Sequence, residues 1–214
     1  AEEQLIRVRL EDGTMPAIRL ADVSGFIVGG SPFNASDPES QKSPVQHRVE
    51  AEIQNLLDEV VAADFPFLGA CYGVGTLGVH EGAEIDGTYS EPISVVPVTL
   101  TDAGAADPLF AGLPHEFSAF VGHKEGIRTL PAHVVSLASS PTCPVQAFRV
   151  GTNVYATQFH PELDVTGITT RIHAYADRGY FAPHEIDLTL AAVNREPVVH
   201  TGRVLQNFVS RYAR

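Results

Sequence analysis

The chain has 214 residues, and its 14 Lys and Arg against 26 Asp and Glu give a formal net charge of −12. This length and a hydrophobic content of 44% can supply one sizeable core, so we predict a single domain over residues 1–214. The acidic excess disfavours nucleic acid and an anionic membrane surface as partners, and we predict neither.

Only two cysteines are present, and no apolar run approaches the roughly 20 residues that a membrane-spanning helix needs. Such cysteine usage is typical of a reducing compartment, and the first ten residues carry no secretory signature. We therefore predict a cytoplasmic protein.

The first half of the chain alternates short apolar stretches with longer amphipathic ones, which is typical of a mainly parallel central sheet flanked by helices, an α/β fold. Ile6–Leu10 is predicted as a first strand and Gly25–Val28 as a short buried strand. Ser43 and Pro44 suit the N-cap and first position of a helix, and the apolar residues after them recur on one helical face. Phe65–Ala70 is predicted as the next buried strand.

The second half begins with short β-branched or aromatic runs separated by Pro, Gly and Asp, which indicates an added antiparallel portion of the sheet. Helical patterns return near the C-terminus. The predicted strands are Ile93–Leu100, Phe117–Val121, Val134–Ala138, Gln146–Val150 and Val154–Thr157, and the predicted helices are Ile168–Ala176, His184–Val193 and Thr201–Ala213.

Cys71 lies where the Phe65–Ala70 strand would turn into a helix beginning near Val74, and Gly69 and Gly73 flank it. A tight turn of this kind presents a side chain on strained backbone dihedrals, and small neighbours let strand and helix approach. The helix N-terminus would stabilise the reactive thiolate. A cysteine at a strand end can instead be a small core residue, so this segment alone leaves both interpretations open.

His160 follows another predicted strand, and Glu162 comes two residues later. Alternate residues of an extended chain face the same side, so the carboxylate can meet the imidazole, fix its tautomer and support the imidazolium. A His-Pro-Glu loop can also be merely structural. Together with the cysteine segment, it indicates a catalytic triad of Cys71, His160 and Glu162.

These motifs resemble those of class I (triad) glutamine amidotransferases. The family shows Gly-x-Cys-x-Gly at the nucleophile, matched by Gly69–Gly73, and His-Pro-Glu after a strand, matched by His160–Glu162. Gly29–Gly30 is similar to the family's Gly-Gly loop. The likeness covers roughly Gly25 to Glu162 and implies a flavodoxin-like three-layer sandwich.

The resemblance implies a glutaminase. Cys71 would attack the side-chain amide carbon of L-glutamine, His160 would protonate the departing ammonia, and water would release glutamate from the thioester. Backbone N–H groups of Gly30 and Tyr72 would form the oxyanion hole. We predict no cofactor. We also predict that a separate synthase polypeptide uses the ammonia, since the 52 residues after Glu162 (214 − 162) are too few for an acceptor domain.

The segment 121–125 is similar to the family segment that holds the α-amino-acid end of glutamine, so Gly122 and Lys124 are candidate substrate-binding residues. His123 is interpreted as a loop or interface residue. The remaining histidines show no H-x-x-x-H spacing and the cysteines no C-x-x-C spacing, so we predict no metal site.

The sequence departs from the family at several points. Gln usually stands four residues after the nucleophile, where this chain has Gly75, and the smaller residue would leave a roomier pocket. The Gly-Gly loop reads Gly29–Pro32, one residue longer than usual before its proline. The family fold also opens with a strand and helix ahead of Ile6–Leu10, so we expect about 20–30 further residues before Ala1.

Two other functions stay open. A γ-glutamyl hydrolase or peptidase would use the same triad on a γ-glutamyl compound and deliver no ammonia, and the room beside Gly75 favours it. A non-catalytic binding module on this fold would turn over nothing. The presence of all three triad residue types argues against that module.

Overall fold

The computed structural model describes residues 4–175 and 185–213. Strands and helices alternate in the first part of these ranges, and strands dominate the middle. The strands are β1 Phe26–Val28, β2 Phe67–Ala70, β3 Glu84–Asp86, β4 Glu91–Leu100, β5 Glu116–His123, β6 Gly126–Thr129, β7 Val135–Ser139, β8 Ala147–Val150 and β9 Val154–Thr157. The helices are α1 Pro44–Ala62, α2 Tyr72–Glu81, α3 Asp102–Ala106, α4 Val165–Tyr175, α5 Glu185–Val193 and α6 Gly202–Tyr212.

Seven strands form one sheet in the order β1-β2-β9-β8-β7-β4-β5. β1, β2 and β9 run parallel, whereas the pairs from β9 onward to β5 are antiparallel. The predicted α/β class, with a parallel and an antiparallel portion, is confirmed, and antiparallel pairs are the more numerous among the described strands. β3 and β6, which the sequence pattern did not predict, form a separate two-stranded sheet.

Successive residues of the central strands point into different layers. Phe67 of β2 packs in a cluster with residues of α1 and α2, and its neighbour Leu68 packs with residues of β4, β5 and α6. Both side chains have 0% relative exposure. Because strand side chains alternate between faces, helices on both sides of the sheet give the three layers that the resemblance implies.

Helix α1 begins where the sequence predicts. The Ser43 side chain accepts a hydrogen bond from Gln46 N at 3.1 Å, and Pro44 occupies the first helical position, where no intrahelical donor is needed. Ile53 and Leu57 lie on the buried face. Truncating either side chain to Ala would cost about 2–5 kcal/mol of stability.

The predicted strand Ile6–Leu10 is wrong. Residues 5–9 have no regular structure, and residue 10 lies in a turn. Arg48 of α1 holds the backbone here, donating from Nη2 to the carbonyl of Leu10 at 2.8 Å. The Ile6 side chain is 67% exposed, so the apolar alternation that suggested a strand has no core to enter.

The other predicted elements match the structure within a few residues. Helix α2 begins at Tyr72 instead of near Val74, because Cys71 itself is the N-cap residue. The predicted helices α4 and α5 are present, and their predicted ends Ala176 and His184 lie outside the described residues. No helix in the described part of the chain is long and apolar enough to cross a membrane.

Candidate active site

Cys71 lies in the turn between β2 and α2 with φ 56° and ψ −93°. A positive φ is strained for a residue with a side chain, and such strain is held by the surrounding structure. Cys71 N donates to Thr157 O of β9 at 2.8 Å. An ideal Cβ on Gly69 would lie 2.8 Å from the Cα of Gly73, so both glycines are needed for this close approach of strand and helix.

His160 follows β9 and is fixed to β5 by a hydrogen bond from its backbone N–H to Phe120 O at 2.9 Å. Its Nδ1 lies 2.6 Å from Glu162 Oε1. The imidazole is 1% exposed and the Glu162 side chain 38%, so the histidine is buried and its carboxylate partner lies at the surface of the site. The structure therefore brings together the two residues that alternation predicted would meet.

The charges around His160 favour its protonated form. Burial by itself lowers the pKa of the imidazole, but the negative charges and hydrogen bonds of Cys71 and Glu162 outweigh it and raise the pKa to about 9. Burial likewise works against ionisation of Glu162, and the hydrogen bond and charge of His160 overcome it, so the pKa of Glu162 is lowered.

Nε2 of His160 is the ring nitrogen that remains for chemistry. Nδ1 is engaged by Glu162, whereas Nε2 is buried and has no hydrogen-bond partner among the described atoms. Cys71 lies close enough for its charge to act on the ring. The arrangement can hold a thiolate beside an imidazolium and can pass a proton through Nε2.

A small cavity opens beside Cys71. Its walls come from the loop after β1, the first turn of α2, the end of β5 and helix α4, and include Ser31, Tyr72, Gly122, Lys124 and Arg171. The Sγ of Cys71 lies 3.9 Å from Gly122 O, a long contact. The two candidate substrate-binding residues, Gly122 and Lys124, therefore border the cavity that contains the cysteine.

The two candidate oxyanion-hole residues also lie at this cavity's edge. Gly30 is against the imidazole, since an ideal Cβ on it would lie 3.2 Å from Cε1 of His160. Tyr72 is the first residue of α2, where backbone N–H groups have no intrahelical acceptor. A side chain at position 30 would press on the histidine ring.

The space beside Gly75 is not vacant, and the expectation of a roomier pocket is wrong. An ideal Cβ on Gly75 would lie 2.5 Å from Glu125 Oε1 and 3.0 Å from the Cβ of Ala35. Glu125 is 7% exposed and borders the same cavity as Cys71. A carboxylate from another part of the chain thus occupies the space that Gly75 leaves.

His123, interpreted above as a loop or interface residue, is buried at the end of β5. Nε2 lies 2.7 Å from Glu91 Oε2, and Nδ1 lies 2.7 Å from the carbonyl of Glu125. Gln146 donates to the same Glu91 oxygen at 2.7 Å, and Thr142 donates to the other. This network fixes the turn that carries Lys124 and Glu125.

Cys143 adds a third candidate metal donor to Glu91 and His123, with the three donor atoms within 4.8 Å of one another. Both nitrogens of His123 are already hydrogen-bonded, and burial raises the pKa of the Cys143 thiol to about 11. A metal would need a thiolate and a free ring nitrogen, so the geometry fits a hydrogen-bonded core cluster better.

Arg171 of α4 is a second site residue that the sequence interpretation missed. Its Nη1 lies 3.4 Å from Nδ1 of His160, and its positive charge helps to lower the pKa of Glu162. No motif marks it, because its position depends on how α4 packs. Glu125 did have a signal, since the departure at Gly75 pointed to an altered pocket wall.

The fold and this site define a class of protein: a three-layer α/β protein with a cysteine at a strand-to-helix turn and a histidine–carboxylate pair on a neighbouring strand. Residues 6–177 match the family Glutamine amidotransferase class-I. The chain belongs to that family, as its motifs indicate.

Two curated relatives are each named as one component of a two-part, glutamine-hydrolysing GMP synthase. The protein from Thermoplasma acidophilum is 35% identical over 104 residues, which cover 48% of this chain and 50% of the relative. The protein from Methanocaldococcus jannaschii is 29% identical over 143 residues, 66% of each chain. This chain thus matches about half to two thirds of the length of these relatives.

A solved structure of a glutamine amidotransferase from Thermotoga maritima shares the fold. The TM-score is 0.73 at 24% identity, covering 92% of this chain and 81% of the other. At this identity the likeness supports the architecture alone.

Proposed function

We propose that this protein hydrolyses the side-chain amide of L-glutamine through a cysteine thioester, with Cys71 as nucleophile, His160 as acid and base, and Glu162 as the carboxylate that orients the histidine. The observation that carries the proposal is the His160–Glu162 contact of 2.6 Å beside a cysteine held at positive φ. A merely structural cysteine would not require that backbone strain.

The proposed reaction has two halves. The Cys71 thiolate forms a C–S bond to the amide carbon, and the C–N bond breaks as His160 gives its Nε2 proton to the leaving nitrogen, releasing ammonia. The neutral His160 then takes a proton from water, whose oxygen attacks the thioester; the C–S bond breaks, and glutamate leaves. The raised pKa of His160 supports its protonated form at the start of this cycle.

Backbone donors would stabilise the oxyanion of each tetrahedral intermediate. We assign this role to Gly30 and Tyr72, because one borders the His160 ring and the other opens α2 directly after Cys71. The positive end of the α2 dipole adds to the effect. Gly122 and Lys124 are proposed to contact the amino-acid end of the substrate, since both border the cavity.

The ammonia would serve a separate synthase polypeptide. The relatives from T. acidophilum and M. jannaschii are named as subunits of a glutamine-hydrolysing GMP synthase, which supports a two-polypeptide arrangement here. The protein's two cysteines are free thiols, which fits a reducing, cytoplasmic location. Cell fractionation with the protein in the membrane or secreted fraction would refute that location.

The γ-glutamyl peptidase alternative loses its structural argument, because Glu125 fills the space beside Gly75. Release of ammonia and glutamate from L-glutamine should therefore exceed cleavage of γ-glutamyl dipeptides. Turnover only of the dipeptides would favour the peptidase. Turnover of neither, with Cys71 unreactive to a glutamine-like chloroketone, would favour a non-catalytic module.

Two cysteine variants test the nucleophile. Cys71→Ala should abolish turnover and labelling, whereas Cys143→Ala, which removes the protein's other thiol from the core, should retain both. Equal activity of Cys71→Ala and the unmodified protein would overturn the proposed mechanism.

A further inference from the structure

We propose that Glu125 recognises the α-ammonium group of the substrate, so that the enzyme requires a free α-amino group. This inference rests on the proposed amide hydrolysis at Cys71 and adds the residue that selects the other end of the molecule. It arises from the pair formed by Gly75 and Glu125.

Glu125 is held rigidly at the wall of the cavity. Oε1 accepts a hydrogen bond from Ala35 N at 2.9 Å, and Oε2 accepts one from Ser36 N at 2.7 Å. A carboxylate has about four acceptor positions, so two backbone donors leave capacity for a ligand. The side chain is buried, which strengthens any charge interaction that it makes.

The distance between Cys71 and Glu125 suits glutamine. Cys71 is the N-cap of α2, and Gly75, against which Glu125 Oε1 lies, is one helical turn further on. Four residues of α-helix advance about 6 Å. In glutamine, four bonds of about 1.5 Å each separate the amide carbon from the α-amino nitrogen. An amide carbon at Sγ can therefore place the amino nitrogen beside Glu125.

The chemistry of the pair selects for a cation. Family members usually carry a neutral glutamine side chain at the position of Gly75, whereas here the wall is a carboxylate. Ammonium-to-carboxylate hydrogen bonds are roughly twice as strong as those between neutral groups. A substrate without the ammonium would leave the buried carboxylate without this partner.

The test compares kcat/KM for L-glutamine and for glutaramate, which has the same amide and carboxylate but no α-amino group. In Glu125→Gln, kcat/KM for L-glutamine should fall roughly 10- to 100-fold, as expected for one charge-assisted hydrogen bond. The value for glutaramate should change little, so the preference of the unmodified enzyme for L-glutamine should nearly disappear.

Asp37→Asn controls for disturbance of the loop that Glu125 also holds. Asp37 accepts from Asn34 N at 3.2 Å and from Asn34 Nδ2 at 3.0 Å, and it tethers the same loop without bordering the cavity. Its substitution should affect the two substrates equally. If Asp37→Asn and Glu125→Gln change the preference by the same factor, Glu125 acts only through the loop and the inference fails.

A failure of the proposed function gives a different result. If the unmodified protein hydrolyses neither compound, calorimetric binding of L-glutamine and glutaramate to the same three proteins decides the matter. Preferential binding of L-glutamine that Glu125→Gln removes would support the inference without the reaction. Equal binding of both compounds, or binding of neither, would overturn it, as would an unchanged preference in an active Glu125→Gln enzyme.

Discussion

The carboxylate of Glu125 lies where a side chain at Gly75 would have to go, with Oε1 2.5 Å from the ideal Cβ position. The two residues are 50 positions apart in sequence (125 − 75) and form one feature of the pocket wall. A change at either position is therefore a change at both.

Gly75→Ala should displace Glu125 and lower both stability and activity. A contact of that length cannot persist, so the free energy of unfolding should fall by about 1–3 kcal/mol, the usual cost of overpacking. Urea denaturation and the ammonia assay measure the two effects. Gly202→Ala is the matched control, because an ideal Cβ there meets nothing within 4 Å.

A double-mutant cycle isolates the contact. In a Glu125→Ala background the added methyl group has room, so Gly75→Ala should cost much less stability than it does alone. Equal costs in the two backgrounds would show that the destabilisation arises elsewhere, for example from the Cβ of Ala35.

Cys71→Gly should be more stable than Cys71→Ala although both are inactive. The backbone at position 71 has φ 56° and ψ −93°, which glycine adopts without the steric cost that alanine retains. We expect a difference of about 1 kcal/mol in the free energy of unfolding at this position. Equal stabilities, or a more stable alanine variant, would show that the turn holds no strain.

Much of the fold was readable from local pattern. The Ser43–Pro44 start of α1, the buried strand before Cys71 and the strand before His160 each had a recognisable signal, and the structure contains all three. Ile6–Leu10 had alternating apolar residues but no strand partner in the described part of the chain, and pairing is a long-range property that alternation cannot report.

The candidate site shows the same division. Cys71, His160 and Glu162 stand in short motifs, because a tight turn and a strand end impose local requirements. Glu91 and Arg171 do not, since their contacts with His123 and His160 arise only when β4, β5 and α4 pack together. Sequence spacing carries no record of such contacts.

Glu91→Gln should destabilise the protein in a pH-dependent way. Burial raises the pKa of Glu91, but hydrogen bonds from His123, Thr142 and Gln146 outweigh it, so the folded pKa lies below the ordinary value of 4.5. The carboxylate therefore contributes stability above pH 4.5, and that contribution is lost as pH falls through the lowered folded pKa. The variant should lose roughly 1–3 kcal/mol near neutral pH.

Urea denaturation at neutral and acidic pH measures this dependence. The gap between the unmodified protein and Glu91→Gln should narrow as the carboxylate becomes protonated. Glu84→Gln serves as the exposed control, since the Glu84 side chain is 58% exposed and its pairing with Arg128 is worth little in solvent. A gap that stays constant or widens on acidification would contradict the assignment.

Glu162→Gln should move the alkaline limb of the pH profile of kcat/KM to lower pH. His160 must carry a proton to release ammonia, and the protonated fraction falls as pH rises through its pKa of about 9. Glu162 helps to raise that pKa through its charge and its hydrogen bond to Nδ1. Without this carboxylate the pKa should fall toward the ordinary value of 6.5, so activity should decline at a lower pH.

Glu116→Gln is the comparison for this last profile, because Glu116 is an exposed carboxylate at the opposite end of β5 from His123. Its limb should coincide with that of the unmodified enzyme. An alkaline limb that Glu162→Gln leaves in place, or moves upward, would mean that Glu162 does not set the protonation of His160. The carboxylate would then orient the ring only, and the variant would lower kcat without shifting the profile.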